Sequence, residues 1–257
     1  MEDLEVYILT HKKLNYGFSL EPYQLLQCGA ALTGYDICEL KDNTGDNISE
    51  KNELFLETTG IYWIWKNTDS KYVGQMQYRR MLSINPNLIP TILNAFDIII
   101  SAPAKLDGGN ILEQYKWAHD ENDLLSLKPI IEKLYPDYAE TFDKMLSYNM
   151  IVYSNSFITT RERYNDICKF CFDILFEFEK VNKFYDKNKL FEHALKISKE
   201  KDAQFYETQL SAPYHVELSP IAYESRICGY LFERLFVLYL LHNQLKYYAC
   251  GDYLQFY

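Results

Sequence analysis

With 257 residues the chain is long enough to bury a large core, and its mixture of 48% apolar and 24% charged residues fits one mixed α/β domain. Its formal net charge of −10 argues against a nucleic-acid surface, because such a surface neutralises phosphates with clustered Lys and Arg. The opening Met1-Glu2-Asp3-Leu4-Glu5 is acidic where an export signal is positive, so the expected location is the cytoplasm or the cytoplasmic face of the inner membrane. The most apolar stretch, 230–241, is interrupted by Glu233 and Arg234 and falls short of the roughly 20 apolar residues of a spanning helix, so no transmembrane segment is expected. Six cysteines (Cys28, Cys38, Cys168, Cys171, Cys228, Cys250) are scattered and are read as reduced thiols. The Cys168-x-x-Cys171 pair falls inside a helical pattern over 163–180, as two small core residues one turn apart rather than a zinc or redox pair.

Along the chain, Val6-Tyr7-Ile8-Leu9 ends at Thr10-His11-Lys12-Lys13, the pattern of a buried strand delivering polar residues at its carboxyl end. Residues 35–40 predict a second, weaker strand, followed by turn chemistry over 41–46. Asn47 with Glu50 has the form of a capping box, and Leu54, Thr58, Ile61 and Trp65 recur at helical spacing, predicting a helix up to Asn67. Residues 72–76 predict a third strand that gives way to Gln77-Tyr78-Arg79-Arg80, and 96–102 a fourth that Pro103 closes. Alternating strands and helices imply a mostly parallel central sheet flanked by helices, with ligands beyond the carboxyl ends of its strands. Further on come a helical region over 123–146, a strand-like 150–158 and a helix opened by Thr160 and running to about 180. Residues 181–204 are polar and Lys-rich, a mobile insertion or a solvated helix. A closing helix over 226–246 carries Leu231, Leu235, Leu238 and Leu241 on one face, with Glu233-Arg234 as its anomaly.

Several segments keep one order across nearly the whole chain. They are 7–12 (Tyr-Ile-Leu-Thr-His-Lys), 46–52 running into 57–67, Tyr72-Val73-Gly74, Tyr78-Arg79-Arg80 and Asp97-Ile98-Ile99. After them come His119 with Asp123-Leu124, Asn155-Ser156-Phe157-Ile158, and Arg226 with Gly229-x-x-x-Glu233-Arg234-Leu235. Together these blocks resemble a bacterial family first catalogued as a domain of unknown function, found in capsular and exopolysaccharide clusters and linked to glycosyl transfer. The chain departs from it at Gln77, where members carry His, which takes an imidazole out of any step that needs one. The resemblance implies a GT-A-like, nucleotide-sugar-binding fold in a single domain over 1–257, with 1–105 binding the nucleotide sugar and 106–257 forming the acceptor-side, more helical part. It implies a hexosyltransferase that moves a hexose, galactofuranose being one candidate, from a UDP-sugar to a saccharide acceptor, expected to be lipid-linked. The oligomeric state stays open.

Such a reaction needs a cradle for the diphosphate and, in an inverting enzyme, a base for the acceptor hydroxyl. No Asp-x-Asp motif is present, and Glu121-x-Asp123 falls where a helix begins, so no metal cofactor is expected, with a divalent ion such as manganese left open. Tyr78, Arg79 and Arg80 occupy the strand end where the family fold would place that motif, and guanidinium groups bind phosphate oxygens bidentately. On an extended segment only one of the two arginines would reach the phosphates. Thr10, His11 and Lys12 would face the same crevice; for His11 a plain loop role stands equal to a functional one. Asp46 and Asn52 bound a block that could contact nucleotide or sugar, while Asn47 and Glu50 are explained by capping. For the base, Asp123 and His119 are four apart and would share one side of a helix, with Glu233 as the rival that an ion pair with Arg234 or Arg226 would also explain. Asn155 would bind an acceptor hydroxyl or serve a turn. Tyr62, Trp63 and Trp65 read mostly as core. The competing reading, to which Gln77 points, is a catalytically silent carbohydrate-binding or scaffolding protein of the same fold.

Overall fold

A computed structural model describes residues 3–13, 22–107, 109–201, 203–210 and 218–254. The first half runs β1 (Leu4–Thr10), β2 (Tyr23–Gln27), β3 (Leu40–Lys41), α1 (Asn52–Phe55), α2 (Thr58–Asn67), β4 (Tyr72–Gln77), β5 (Arg80–Leu82), α3 (Ile89–Leu93), β6 (Ile98–Ser101) and β7 (Ala104–Lys105). Four helices follow, α4 (Ile111–Ala118), α5 (Glu121–Leu125), α6 (Leu127–Leu134) and α7 (Ala139–Leu146), and then strands β8 (Met150–Ile151) and β9 (Phe157–Thr160). The chain continues through α8 (Arg161–Asn182), α9 (Lys187–Glu200), α10 (Ala203–Leu210), α11 (Pro220–Glu224), α12 (Ile227–His242), β10 (Tyr247–Cys250) and β11 (Asp252–Leu254).

The main sheet has the order β10-β6-β9-β4-β1-β2-β3, with β5 beside β4 and β11 beside β5. It is mostly parallel, as the alternation predicts: β1 pairs in parallel with β2 and β4, β2 with β3, and β6 with β10. The antiparallel members are β9, which runs between β4 and β6, and β5, which pairs with β4 and β11. β1 has the continuous apolar run of a strand covered on both faces. Tyr7 and Leu9 enter the larger core with α2, α8 and α12, while Val6 and Ile8 enter the smaller one with Ile89 and Leu93 of α3. Among the described residues no helix is long and apolar enough to cross a membrane.

Several local expectations are corrected. The second strand is 23–27, ahead of 35–40, where only Leu40 joins a strand. Residues 33–37 are instead gathered by Gln27, whose side chain donates to Thr33 Oγ1 (2.8 Å) and the Tyr35 carbonyl (3.0 Å) and accepts from the Ile37 N–H (2.9 Å). The expected single helix up to Asn67 is broken at Leu56, whose φ of 52° ends α1 before α2 starts at Thr58. No capping box joins Asn47 and Glu50; Asn47 Oδ1 accepts from the Ser49 N–H two residues on, at 3.2 Å. The helical region 123–146 is three helices and a 3-10 turn, and the strand-like 150–158 is two strands separated by Ser154 and Asn155, both at positive φ. Of the two readings of 181–204, the helix holds over Lys187–Glu200, with Asp186 accepting from the Asn188 N–H at its start. Thr160 caps α8 through the Arg163 N–H, and Cys168 and Cys171 are buried, unbridged core residues of it. Trp63 is buried on α2, with Tyr62 and Trp65 half-buried against Phe172 of α8.

Candidate functional site

The carboxyl ends of β1, β2 and β4 open together into a crevice of about 480 Å³. Thr10 shapes its first wall: its hydroxyl donates to the Lys12 carbonyl (2.7 Å) and accepts from the Lys12 N–H (3.1 Å), turning the chain so that Thr10, His11 and Lys12 all line the crevice. The His11 ring packs edge-on against Tyr78 at 5.3 Å. The second wall follows β2, where Gly29 adopts φ +69° and a Cβ on it would stand 2.6 Å from Asn52 Oδ1. A buried carboxylate fixes this loop. Asp42 accepts from the N–H groups of Gly29 (2.8 Å) and Ala30 (3.0 Å) and from the hydroxyls of Ser49 (2.5 Å) and Thr59 (2.6 Å).

The third wall is a hairpin. Gln77 of β4 pairs with Arg80 of β5, so Tyr78 and Arg79 form a two-residue turn. The expected extended segment, with side chains alternating in direction, is therefore replaced by a bend that brings both Arg79 and Arg80 to the crevice. Arg79 lies 6.0 Å from the Tyr78 ring and Arg80 6.0 Å from that of Tyr153. With Lys12 and Arg226 they give the crevice four basic side chains in a chain of net charge −10.

Two carboxylates face this basic rim. Glu57, in the break between α1 and α2, accepts at Oε1 from Gln77 Nε2 (2.7 Å) and Asn155 Nδ2 (3.2 Å). Glu233, on α12, accepts at Oε1 from the Ser154 N–H (2.8 Å) and at Oε2 from Arg234 (2.8 Å). Burial pushes the Glu233 carboxyl up from its ordinary value, with the Arg234 charge and the Ser154 N–H pulling the other way. α12 comes this close because Gly229 has no side chain; a Cβ there would stand 2.7 Å from Leu56 Cδ1 and 2.9 Å from its Cβ.

Of the residues singled out in the sequence, Thr10, His11, Lys12, Asn52, Tyr78, Arg79, Arg80 and Glu233 line the crevice. Asn155 lies just behind it and reaches it through Glu57. Asp46 stands apart and exposed, accepting from the Tyr62 hydroxyl (3.1 Å) and tied to Asn67. Asp123 and His119 also lie outside the lining and are not one turn apart on a helix: α4 ends at Ala118, and Asp120 caps α5 through the Asn122 N–H. His119 is buried and stacks on Tyr230 at 3.8 Å, with burial holding its pKa well below the usual imidazole value. Asp123 is buried against His193 (3.3 Å), and burial raises its pKa. Burial lowers the pKa of His193, but the hydrogen bond and charge of Asp123 more than offset it, and the net shift is upward. Ligand atoms of Asp120, Asp123 and His193 all lie within 4.8 Å of one another, the one group of side chains among the described residues arranged to hold a metal ion. Sequence reasoning gave Glu57 no role because it fell inside a predicted helix; its signals were its place at the head of the 57–67 block and Thr58-Thr59, two poor helix formers that mark a second helix start.

The family model described as "Domain of unknown function (DUF4422)" matches residues 5–194. The chain belongs to this family. The crevice residues of α11 and α12, Glu233 among them, lie beyond the segment by which DUF4422 is matched. A comparison with curated proteins finds no match. Among solved structures, the apo form of the WbbM bifunctional glycosyltransferase is similar to this DUF4422 chain over 98% of its length, with a TM-score of 0.75 and 23% identity. The chain covers 45% of that larger protein, so the likeness is one of fold: an α/β fold with a mostly parallel sheet, as in a glycosyltransferase structure.

Proposed function

We propose that the crevice binds a nucleotide-activated sugar and that the chain is a hexosyltransferase of GT-A-like fold, passing a hexose from a UDP-sugar to a saccharide acceptor in capsular or surface polysaccharide synthesis. The observation that carries this reading is the charge pattern: four basic side chains rim a crevice at the carboxyl ends of parallel strands, with two carboxylates facing them. Cations at this place stabilise the charge that develops on a departing diphosphate, and a raised carboxylate is suited to take a proton from an acceptor hydroxyl. Arg79 in the hairpin turn and Arg80 at the start of β5 take the diphosphate without a divalent ion. Thr10, His11, Lys12 and Asn52 hold the nucleotide end. Glu233 is the base, and Glu57, oriented by Gln77 and Asn155, binds hydroxyls of the sugar or its acceptor. His119 supports Tyr230 from behind, and Asp123 ties α5 to α9; neither is placed to touch substrate.

In this reading the whole chain acts as one domain, because the crevice draws on residues before 105 and after 152 alike. Galactofuranose is one candidate for the transferred sugar, and a lipid-linked oligosaccharide the candidate acceptor. The test is release of UDP from a panel of UDP-sugars, followed by mass spectrometry, with EDTA and then with manganese. Turnover of one donor that survives EDTA supports the proposal. Binding of donors with no turnover, with or without added saccharides, would favour a silent carbohydrate-binding protein, and strict dependence on manganese would overturn the role given to the arginines.

A further inference from the structure

α12 is apolar almost throughout, and Glu233 and Arg234 are its only acidic and basic residues apart from His242 at its end. An ion pair in such a place has to be explained, since apolar residues of similar volume often stabilise a core as well or better. The two partners face different surroundings. Glu233 lines the crevice, whereas Arg234 is 2% exposed and points to α4. There its guanidinium donates to Gln114 Oε1 (2.5 Å) and to the Tyr230 carbonyl (3.1 Å), and it lies over the Tyr115 ring at 5.0 Å. Three contacts independent of Glu233 therefore set the guanidinium before the carboxylate is considered.

From this geometry we infer that Arg234, braced by Gln114 and Tyr115, is a positioning residue that anchors Glu233 Oε2 and leaves the carboxylate aimed at the crevice. The inference rests on the reading of Glu233 as the base. With Oε2 bound to Arg234 and Oε1 to the Ser154 N–H, rotation of the carboxylate breaks two charge-assisted bonds, so the group is preorganised for an arriving hydroxyl. The charged and titratable groups around it are Arg234 on α12 itself, Glu57 from the α1–α2 break, Arg80 from β5, Tyr153 ahead of β9 and Tyr223 from α11. Of these only Arg234 and Arg80 favour its ionised form, and Arg234 contributes more than Arg80. Without Arg234 the effects of burial and of Glu57 are opposed only by Arg80 and the Ser154 N–H, and the carboxyl should hold its proton to higher pH.

The experiment is an infrared titration of the carboxylic-acid carbonyl band, assigned to Glu233 by its loss in Glu233→Gln, in the full chain and in Arg234→Met. Methionine keeps the unbranched, buried stem of the side chain out to about the Nε position, without its charge. The midpoint is expected to rise by about one pH unit or more in Arg234→Met, and the acid limb of UDP release from the donor that the panel of UDP-sugars identifies to rise with it. Gln114→Met, which removes the brace alone, should shift both in the same direction by less, lowering kcat more than it changes KM. A folded Arg234→Met with the wild-type midpoint overturns the inference; should that variant not fold, an unshifted midpoint and unchanged kcat in Gln114→Met do so. If Glu233→Gln itself turns over normally, the reading of Glu233 as base fails. If Glu233→Gln is inactive while Arg234→Met titrates and turns over as wild type, only the positioning role fails.

Discussion

Glu233 on α12, half-buried, and Asp123 on α5, buried, are both carboxylates paired with a basic side chain, and burial raises the pKa of both. They differ in what stands in front of them. Glu233 opens on a crevice with four basic residues and a second carboxylate, whereas Asp123 is closed in by His193 and lines no part of that crevice. A perturbed carboxylate therefore marks a candidate site only where substrate can reach it. Asp123 would serve equally well as a tie between α5 and α9.

The largest expected effect breaks or upholds this contrast directly. Glu233→Gln should lower turnover by a factor of roughly 100 or more while leaving UDP binding nearly intact, as for the loss of a general base. Asp123→Asn should keep turnover within a few-fold and instead cost about 1.5–3 kcal/mol of stability, the worth of a charged hydrogen bond. Kinetics of UDP release and denaturant melts on both variants decide the matter; the reverse pattern would exchange the two roles.

A smaller effect is expected at the basic rim. Loss of a charge-assisted phosphate contact at Arg79→Ala or Arg80→Ala should weaken UDP binding about ten- to a hundredfold, measured by calorimetric titration. Because the hairpin turn brings both side chains to the crevice, both variants should show the loss, where an extended segment would have spared one. Next in size is Gly229→Val. Its side chain would meet Leu56 at the position that sets the start of α2 and Glu57, costing about 1–3 kcal/mol by overpacking, read as a lower midpoint in urea.

The last effect, confined to the pH dependence of stability, belongs to the side of Asp123. Glu224 accepts from the Tyr206 hydroxyl at 2.7 Å, and burial raises its pKa to about 7. An acid whose folded pKa is raised binds more protons folded than unfolded above its ordinary value near 4.5, so it withdraws stability as pH rises from there to about 7. Glu224→Gln should flatten that decline, which amounts to up to about 3 kcal/mol, in thermal melts across this range. A slope unchanged by the substitution would refute the assignment.

Much of this was legible in the sequence. The apolar run of β1, the polar residues at its end, Thr160 as the cap of α8 and the ion pair on α12 all follow from local chemistry. What was hidden depends on contacts between distant residues. Tyr23–Gln27 is half polar and becomes a strand because β1 lends it a partner; the 35–40 segment is bent because Gln27 captures its backbone. The spacing of His119 and Asp123 suggested one helix, yet Asp120 caps a new one between them. Glu57 was overlooked because Gln77 and Asn155, which orient it, lie 20 and 98 residues away. Gln77 donates its amide N–H to the Glu57 carboxylate across those 20 residues.

A crystal structure of the chain with UDP is the sharpest check on a nucleotide sugar held between the hairpin arginines and the two crevice carboxylates. The diphosphate should lie against Arg79 and Arg80, with Glu57 and Glu233 facing the space beyond it. A nucleotide bound beside Asp123 and His193, with the crevice empty, would contradict the account.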